Sequence, residues 1–203
     1  DVKINGSITS KNEEDIKKIL DIAKQYDAAV NLDTYMYPAS RERNKPFDEQ
    51  SRMNPKDAAM AKVLIYKYQM GDIAFEEYRR AIINTIEQYI PENYGYERHI
   101  SCLAGNCSFT INWQGMIRPC VMQSMPQVNV FDKGFLQGWE TISNETKKIL
   151  INEACVSCRY RPICNTCAAA ALLETGNYDG IPEYICEYTK EFYRIMKEGA
   201  RIC

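Results

Sequence analysis

The 203-residue sequence has one histidine, no excess of either charge and no apolar run of membrane-spanning length. His99 has no second histidine to share a metal with, so it reads as a surface or packing residue. Lys and Arg number 25 against 27 Asp and Glu, a net charge of −2. Such a balance offers no basic field to nucleic acid or to an anionic membrane. A bilayer-spanning helix needs about 20 consecutive apolar residues, and the chain has no such stretch. No secretory signal, internal repeat or low-complexity segment is visible, and the chain begins at Asp1. These absences point to a cytoplasmic protein. The 45% hydrophobic and 26% charged composition suits one large globular domain or two small ones.

What is abundant is cysteine, with nine residues, all in the second half of the chain. Oxidised pairs would imply a secreted disulfide scaffold. Reduced thiolates would imply soft-metal sites in a reducing compartment. A chain of this length buries a core without covalent staples, and the clustering of the cysteines favours metal.

Along the first half, residues 1–40 read as strand, helix, strand. Val2, Ile4 and Ile8 share one side of an extended run. Ser10 or Asn12 caps a helix whose Ile16, Ile19, Leu20 and Ala23 recur at helical spacing. Ala28 to Met36 is the second strand-like stretch. This βαβ pattern predicts parallel strands joined by a right-handed crossover. Residues 38–53 form a polar loop whose Arg41, Arg43 and Arg52 read as solvated, although they also suit a peptide or a carboxylate ligand. Asn54-Pro55 starts a helix that stops at Gly71. Asp72 caps another, with Phe75, Tyr78, Ile82 and Ile86 on one face.

In the second half, Phe109, Ile111 and Trp113 alternate with polar residues before Gln114-Gly115, a β-hairpin pattern. Helices follow over Ala168 to Thr175, closed by Gly176, and over a final segment carrying Tyr188, Phe192, Ile195 and Met196.

The cysteine spacings read as ligand geometry. Cys102, Cys107 and Cys120 flank or bracket the hairpin, whose antiparallel strands bring Cys107 and Cys120 together. Cys155, Cys158, Cys164 and Cys167 follow closely, then Cys186 and the terminal Cys203. Eight cysteines complete two four-thiolate sites, and Cys203 is left as a free thiol. Spacing alone leaves zinc and iron–sulfur both open.

The run Cys102-Leu103-Ala104-Gly105, Gly115, Pro119-Cys120, Cys155-x2-Cys158-x5-Cys164-x2-Cys167 and Cys186 resembles the SPASM domain. That domain is the C-terminal extension of radical S-adenosylmethionine enzymes that mature peptides and proteins. The resemblance covers about residues 100–190. It departs from the family in the last gap of the central cluster, which has two residues in place of three. Val121 follows Cys120 where the sulfatase-maturing branch has an aspartate.

The resemblance implies an interleaved ligand set for two [4Fe–4S] clusters: Cys102, Cys107, Cys120 and Cys167 for one, Cys155, Cys158, Cys164 and Cys186 for the other. It makes the fold class α+β. A residual βαβ piece of a partial (β/α) barrel spans 1–53, a helical bridge 54–98, and a small SPASM domain with a hairpin and helices 99–203. The family's C-x3-C-x2-C motif for the S-adenosylmethionine cluster is missing, so the chain reads as a C-terminal fragment that does not cleave S-adenosylmethionine by itself. S-Adenosylmethionine belongs to the intact enzyme, where Asn5 and Thr9, at a strand end, are candidate cofactor contacts. The implied partners are a peptide or protein substrate and a reductant protein. The auxiliary clusters would accept an electron, bind the substrate or shape its pocket. The rival reading is a non-catalytic zinc-binding interaction module; a weaker third is a standalone electron-transfer protein.

Overall fold

The structure, a computed structural model, describes residues 2–37, 51–93, 97–100 and 102–199. Arg41, Arg43 and Cys203 lie outside the described residues. The architecture is α+β.

Strands β1 (Lys3–Ser7) and β2 (Ala29–Asp33) pair in parallel, from Lys3 opposite Ala29 to Ser7 opposite Asp33. Helix α1 (Ile16–Gln25) joins them after a short 3-10 turn over Glu13–Asp15. Its Ile16, Leu20 and Ala23 face inward, as their spacing predicts. Ile16 and Leu20 meet Ile8 and Leu32 of the strand segments. Two details differ from the sequence reading. Asn12 makes no side-chain cap. Its Oδ1 accepts the Thr9 backbone N–H at 2.7 Å and its Nδ2 donates to the Ser7 carbonyl at 3.2 Å, so the amide closes the turn after β1. Val2 is 74% exposed and contributes nothing to the core that buries Ile8.

Only one face of this small sheet is covered among the described residues. Lys3, Asn5, Ser7, Ala29, Asn31 and Asp33 all face solvent. Parallel sheets are ordinarily covered on both faces.

Helix α2 (Pro55–Glu87) begins as expected: the Asn54 side chain accepts the Asp57 backbone N–H, and Pro55 fills the first turn. Gly71 interrupts it with φ 74° and ψ 169°, a conformation open to glycine and strained for other residues. The expected stop is therefore a kink between two helical segments. The first segment closes the βαβ core through Ala58, Ala61 and Ile65. Ala59, Val63 and Phe75 of the same helix meet Phe192, Ile195 and Met196 of α7 (Glu183–Glu198). These two helices pack closely against each other.

The cysteine-rich half holds the expected hairpin, β3 (Thr110–Ile111) and β4 (Met116–Arg118). It adds what the sequence reading did not name: strand β5 (Val128–Asn129), helix α3 (Val130–Lys133) and helix α4 (Phe135–Thr146). The hairpin's buried side is not the Phe109, Ile111 and Trp113 stripe, since Trp113 is 85% exposed. Ile117 and Arg118 on β4 are buried, and α4 lies against Ile117, which Gly138 approaches. Phe109 instead meets Phe135 and Trp139 edge-on or tilted, with ring centroids at 5.2 and 5.7 Å. A short helix α5 (Glu153–Val156) and α6 (Ala168–Thr175) complete the fold, and α6 ends in a left-handed Gly176 as expected.

Candidate metal centres

The Cys102–Cys107 segment is a tight turn. The backbone amides of Asn106, Cys107 and Ser108 all point at the Leu103 carbonyl, and Asn106 Nδ2 donates to the Cys102 carbonyl at 3.0 Å. Gly105 lies against Thr146 at the end of α4; a Cβ there would come within 2.5 Å of the threonine hydroxyl. The turn is thus seated on α4 before the hairpin begins.

The ladder ends at Thr110 opposite Arg118; just beyond it Ser108 bridges to Ala104 and Cys120 bridges to Gln123. Cys120 is partly buried, and burial pushes its thiol pKa up. Backbone amides of Met122 and Gln123 donate to its sulfur and pull the other way, while Cys167 and Cys102 raise it further. The structure therefore brings Cys102, Cys120 and Cys167 into one electrostatic neighbourhood. Cys107 is exposed.

The second neighbourhood is more local. Burial raises the Cys155 thiol, followed by Cys164 and Cys158, and the Arg161 guanidinium opposes them. Cys186, on α7, is pushed up to about 11 by burial and then by Cys164, Cys155 and Cys158, with Lys190 opposing. Backbone bonds fix the loop: Cys155 N–H to the Asn152 carbonyl, Arg161 N–H to Cys158, and Cys164 N–H to Tyr160, all between 2.9 and 3.0 Å. None of the eight described cysteines forms a disulfide. Among the described residues, no three His, Cys, Asp or Glu side chains are arranged to share a single metal ion.

Around the first neighbourhood lies a polar and aromatic network that the sequence reading missed. Tyr37 Oη donates to Cys167 Sγ at 3.7 Å. The Tyr37 ring meets Tyr35 edge-on at 4.5 Å, and Tyr35 Oη donates to Glu174 on α6 at 2.8 Å. Arg52, expected to be solvated, forms an ion pair with the same carboxylate at 2.8 Å. Its guanidinium lies 3.7 Å from the centre of the Tyr184 ring. The ring holds it by cation–π attraction as well as by charge. The only sequence signal was the density of tyrosines, which does not say which of them converge.

A cavity of 420 Å³ opens beyond the C-terminal end of β2, between α2 and α7. Tyr35, Tyr66, Tyr188 and Lys62 line it, with Asn165 and Ile185, the sequence neighbours of Cys164 and Cys186. Lys62 Nζ donates to the Leu32 carbonyl at 2.9 Å, and burial lowers its pKa.

The remaining candidates lie elsewhere. Asn5 is at the centre of β1, opposite Asn31, and not at the strand end. Thr9 is held in the local turn, its hydroxyl bonded to Asn12 at 3.2 Å. His99 is exposed, with Nδ1 3.0 Å from the Lys147 carbonyl.

No family model matches the chain. Over 191 residues it is 24% identical to an AdoMet-dependent heme synthase of Methanosarcina barkeri (strain Fusaro / DSM 804). The match takes in 87% of this chain and 53% of the relative, so the chain spans about half of that protein's length. The similarity to an AdoMet-dependent heme synthase thus runs through most of this chain. No helix among the described residues is long and apolar enough to cross a membrane.

Proposed function

We propose that this chain is the auxiliary-cluster region of a radical S-adenosylmethionine enzyme. One [4Fe–4S] cluster would be held by Cys102, Cys107, Cys120 and Cys167, the other by Cys155, Cys158, Cys164 and Cys186. The observation that carries this reading is that Cys167 and Cys102 act on the Cys120 thiol, whereas Cys155, Cys158 and Cys164 act on the Cys186 thiol. Crowded thiols resist ionising together, and a soft cation removes that resistance by binding them as thiolates. An all-sulfur donor set fits iron–sulfur chemistry, and the amides of Met122 and Gln123 are donors of the kind that stabilise a charged cluster. When bound, such clusters supply electron acceptance or transfer at a potential set by hydrogen bonds and solvent access.

The chain's own part is placement. The cavity beside Asn165 and Ile185 would hold a substrate group against the segments that carry Cys164, Cys167 and Cys186. Its size falls within the roughly 300–1,000 Å³ range of small-ligand pockets. Tyrosine faces and the Lys62 ammonium would orient an apolar group with a polar or anionic end. The first substrate reading is a peptide or protein, with a separate protein as reductant. The second is a step of heme synthesis, favoured by the name of the matched relative.

Anaerobic purification followed by iron, sulfide and zinc analysis tests the centre. About eight irons and eight sulfides per chain, with a brown colour that bleaches on reduction, are expected. About two zincs, no sulfide and a colourless protein would make it a structural zinc module instead. Titration with heme separates the substrate readings. A saturable change in heme absorbance that Lys62→Ala weakens favours heme synthesis, and no change favours the peptide.

A further inference from the structure

Tyr37 is the described side chain whose hydroxyl bonds directly to a candidate ligand sulfur. It follows β2 in a segment without regular structure, so something else must fix its ring. That support is the packed set already described. Tyr35 lies edge-on against it, Glu174 holds Tyr35, and Arg52 holds Glu174. Glu174 belongs to α6, which begins one residue after Cys167. The same helix therefore anchors both the sulfur and the network that aims the hydroxyl at it.

A phenol stays protonated at neutral pH, and burial pushes the Tyr37 hydroxyl further up, so it donates. A hydrogen bond to a ligand sulfur draws negative charge from it and favours the more negative, reduced state of the centre. We propose that Tyr37 is a positioning residue of the Cys102–Cys107–Cys120–Cys167 centre, and that its hydrogen bond to Cys167 raises that centre's reduction potential. This rests on the cluster reading above.

The test is a redox titration of the anaerobically reconstituted full chain, followed by electron paramagnetic resonance, with iron and sulfide measured on the same samples. Tyr37→Phe should lower one of the two midpoint potentials and leave the other in place at unchanged iron content. Incorporation of 3-fluorotyrosine at position 37 keeps the shape and strengthens the donor, so the same potential should rise. This second variant decides the matter where the phenylalanine variant loads poorly. Unmoved potentials in both variants, or equal movement of both centres, overturn the role of Tyr37 while the cluster reading stands. A wild-type chain that takes up no sulfide overturns both.

Discussion

The two cysteine neighbourhoods are built in opposite ways. The first gathers a turn at Cys102–Cys107, Cys120 two residues past the hairpin, the residue before α6 and a tyrosine from beyond β2; Tyr37 and Cys167 are 130 residues apart. The second draws three of its four thiols from a hydrogen-bonded stretch of ten residues, Cys155 to Cys164, and only Cys186 comes from farther away. Closing long loops costs more chain entropy than closing short ones. The first centre therefore depends on the whole fold, whereas the second is largely organised by its own loop. Their electrostatics differ too. Neutral donors, two amides and a phenol, face the first, while the cations Arg161 and Lys190 act on the second. Cys164 and Cys167 are separated by two residues yet answer to different partners, so the shared segment ties one centre to the other.

Single ligand removals break this comparison most sharply. Cys167→Ala should abolish the first centre and leave about half of the iron and sulfide, with the second centre's signal intact. Cys164→Ala should do the reverse. Identical residual spectra from the two variants would mean that the thiols are not partitioned this way.

The next effect separates fold dependence from local organisation. Ile117 is fully buried between the hairpin and α4, which seat the first centre. Ile117→Ala should cost roughly 2–5 kcal/mol in chemical denaturation, the usual range for emptying a buried aliphatic site. Under a chelator, iron should leave the first centre faster than the second. Equal rates would show that both centres lean on the fold to the same degree.

A smaller effect is expected from the network behind Tyr37. Arg52 and Glu174 are 16% and 12% exposed, between a surface pair and a fully buried one. Arg52→Ala should cost about 2 kcal/mol, between those two limits. It should also shift the first centre's potential through Tyr37 and leave the second unchanged. Lost stability with both potentials intact would confine Arg52 to packing.

Much of this molecule follows from local pattern. The βαβ unit, the Asn54 cap, the break at Gly71, the hairpin and the last two helices all follow from period, cap and turn chemistry. Residues 121–154 resist that approach. β5 has two residues and α3 four, too short for a period to show, and α4 is recognisable mainly once Gly138 and Ile142 are seen against the hairpin. Alternation at Phe109, Ile111 and Trp113 marks the hairpin, but it does not say which face α4 covers. Arg52 was misread because its partner lies 122 residues away. Cysteine spacing gave the candidate ligands, but not which thiols share a neighbourhood, since that depends on where the hairpin and α7 pack.

The smallest expected effect concerns pH, and it isolates the second neighbourhood in the metal-free chain. The folded protein holds the Cys186 thiol at about 11, above the ordinary value of 9.0, chiefly through burial. The folded state thus keeps this proton more tightly than the unfolded state does. Its contribution to stability is full below about pH 9 and declines as pH rises towards about 11, because the unfolded chain releases the proton first. The metal-free Tm should fall across that window, and Cys186→Ala should flatten the fall without removing it, since Cys155 is also raised. Once a metal holds the sulfur as thiolate, the proton is already gone, and the decline should vanish from the loaded protein. A loaded chain that loses Tm over the same window as the metal-free one would show that Cys186 is not a ligand, and would leave the second centre one thiol short.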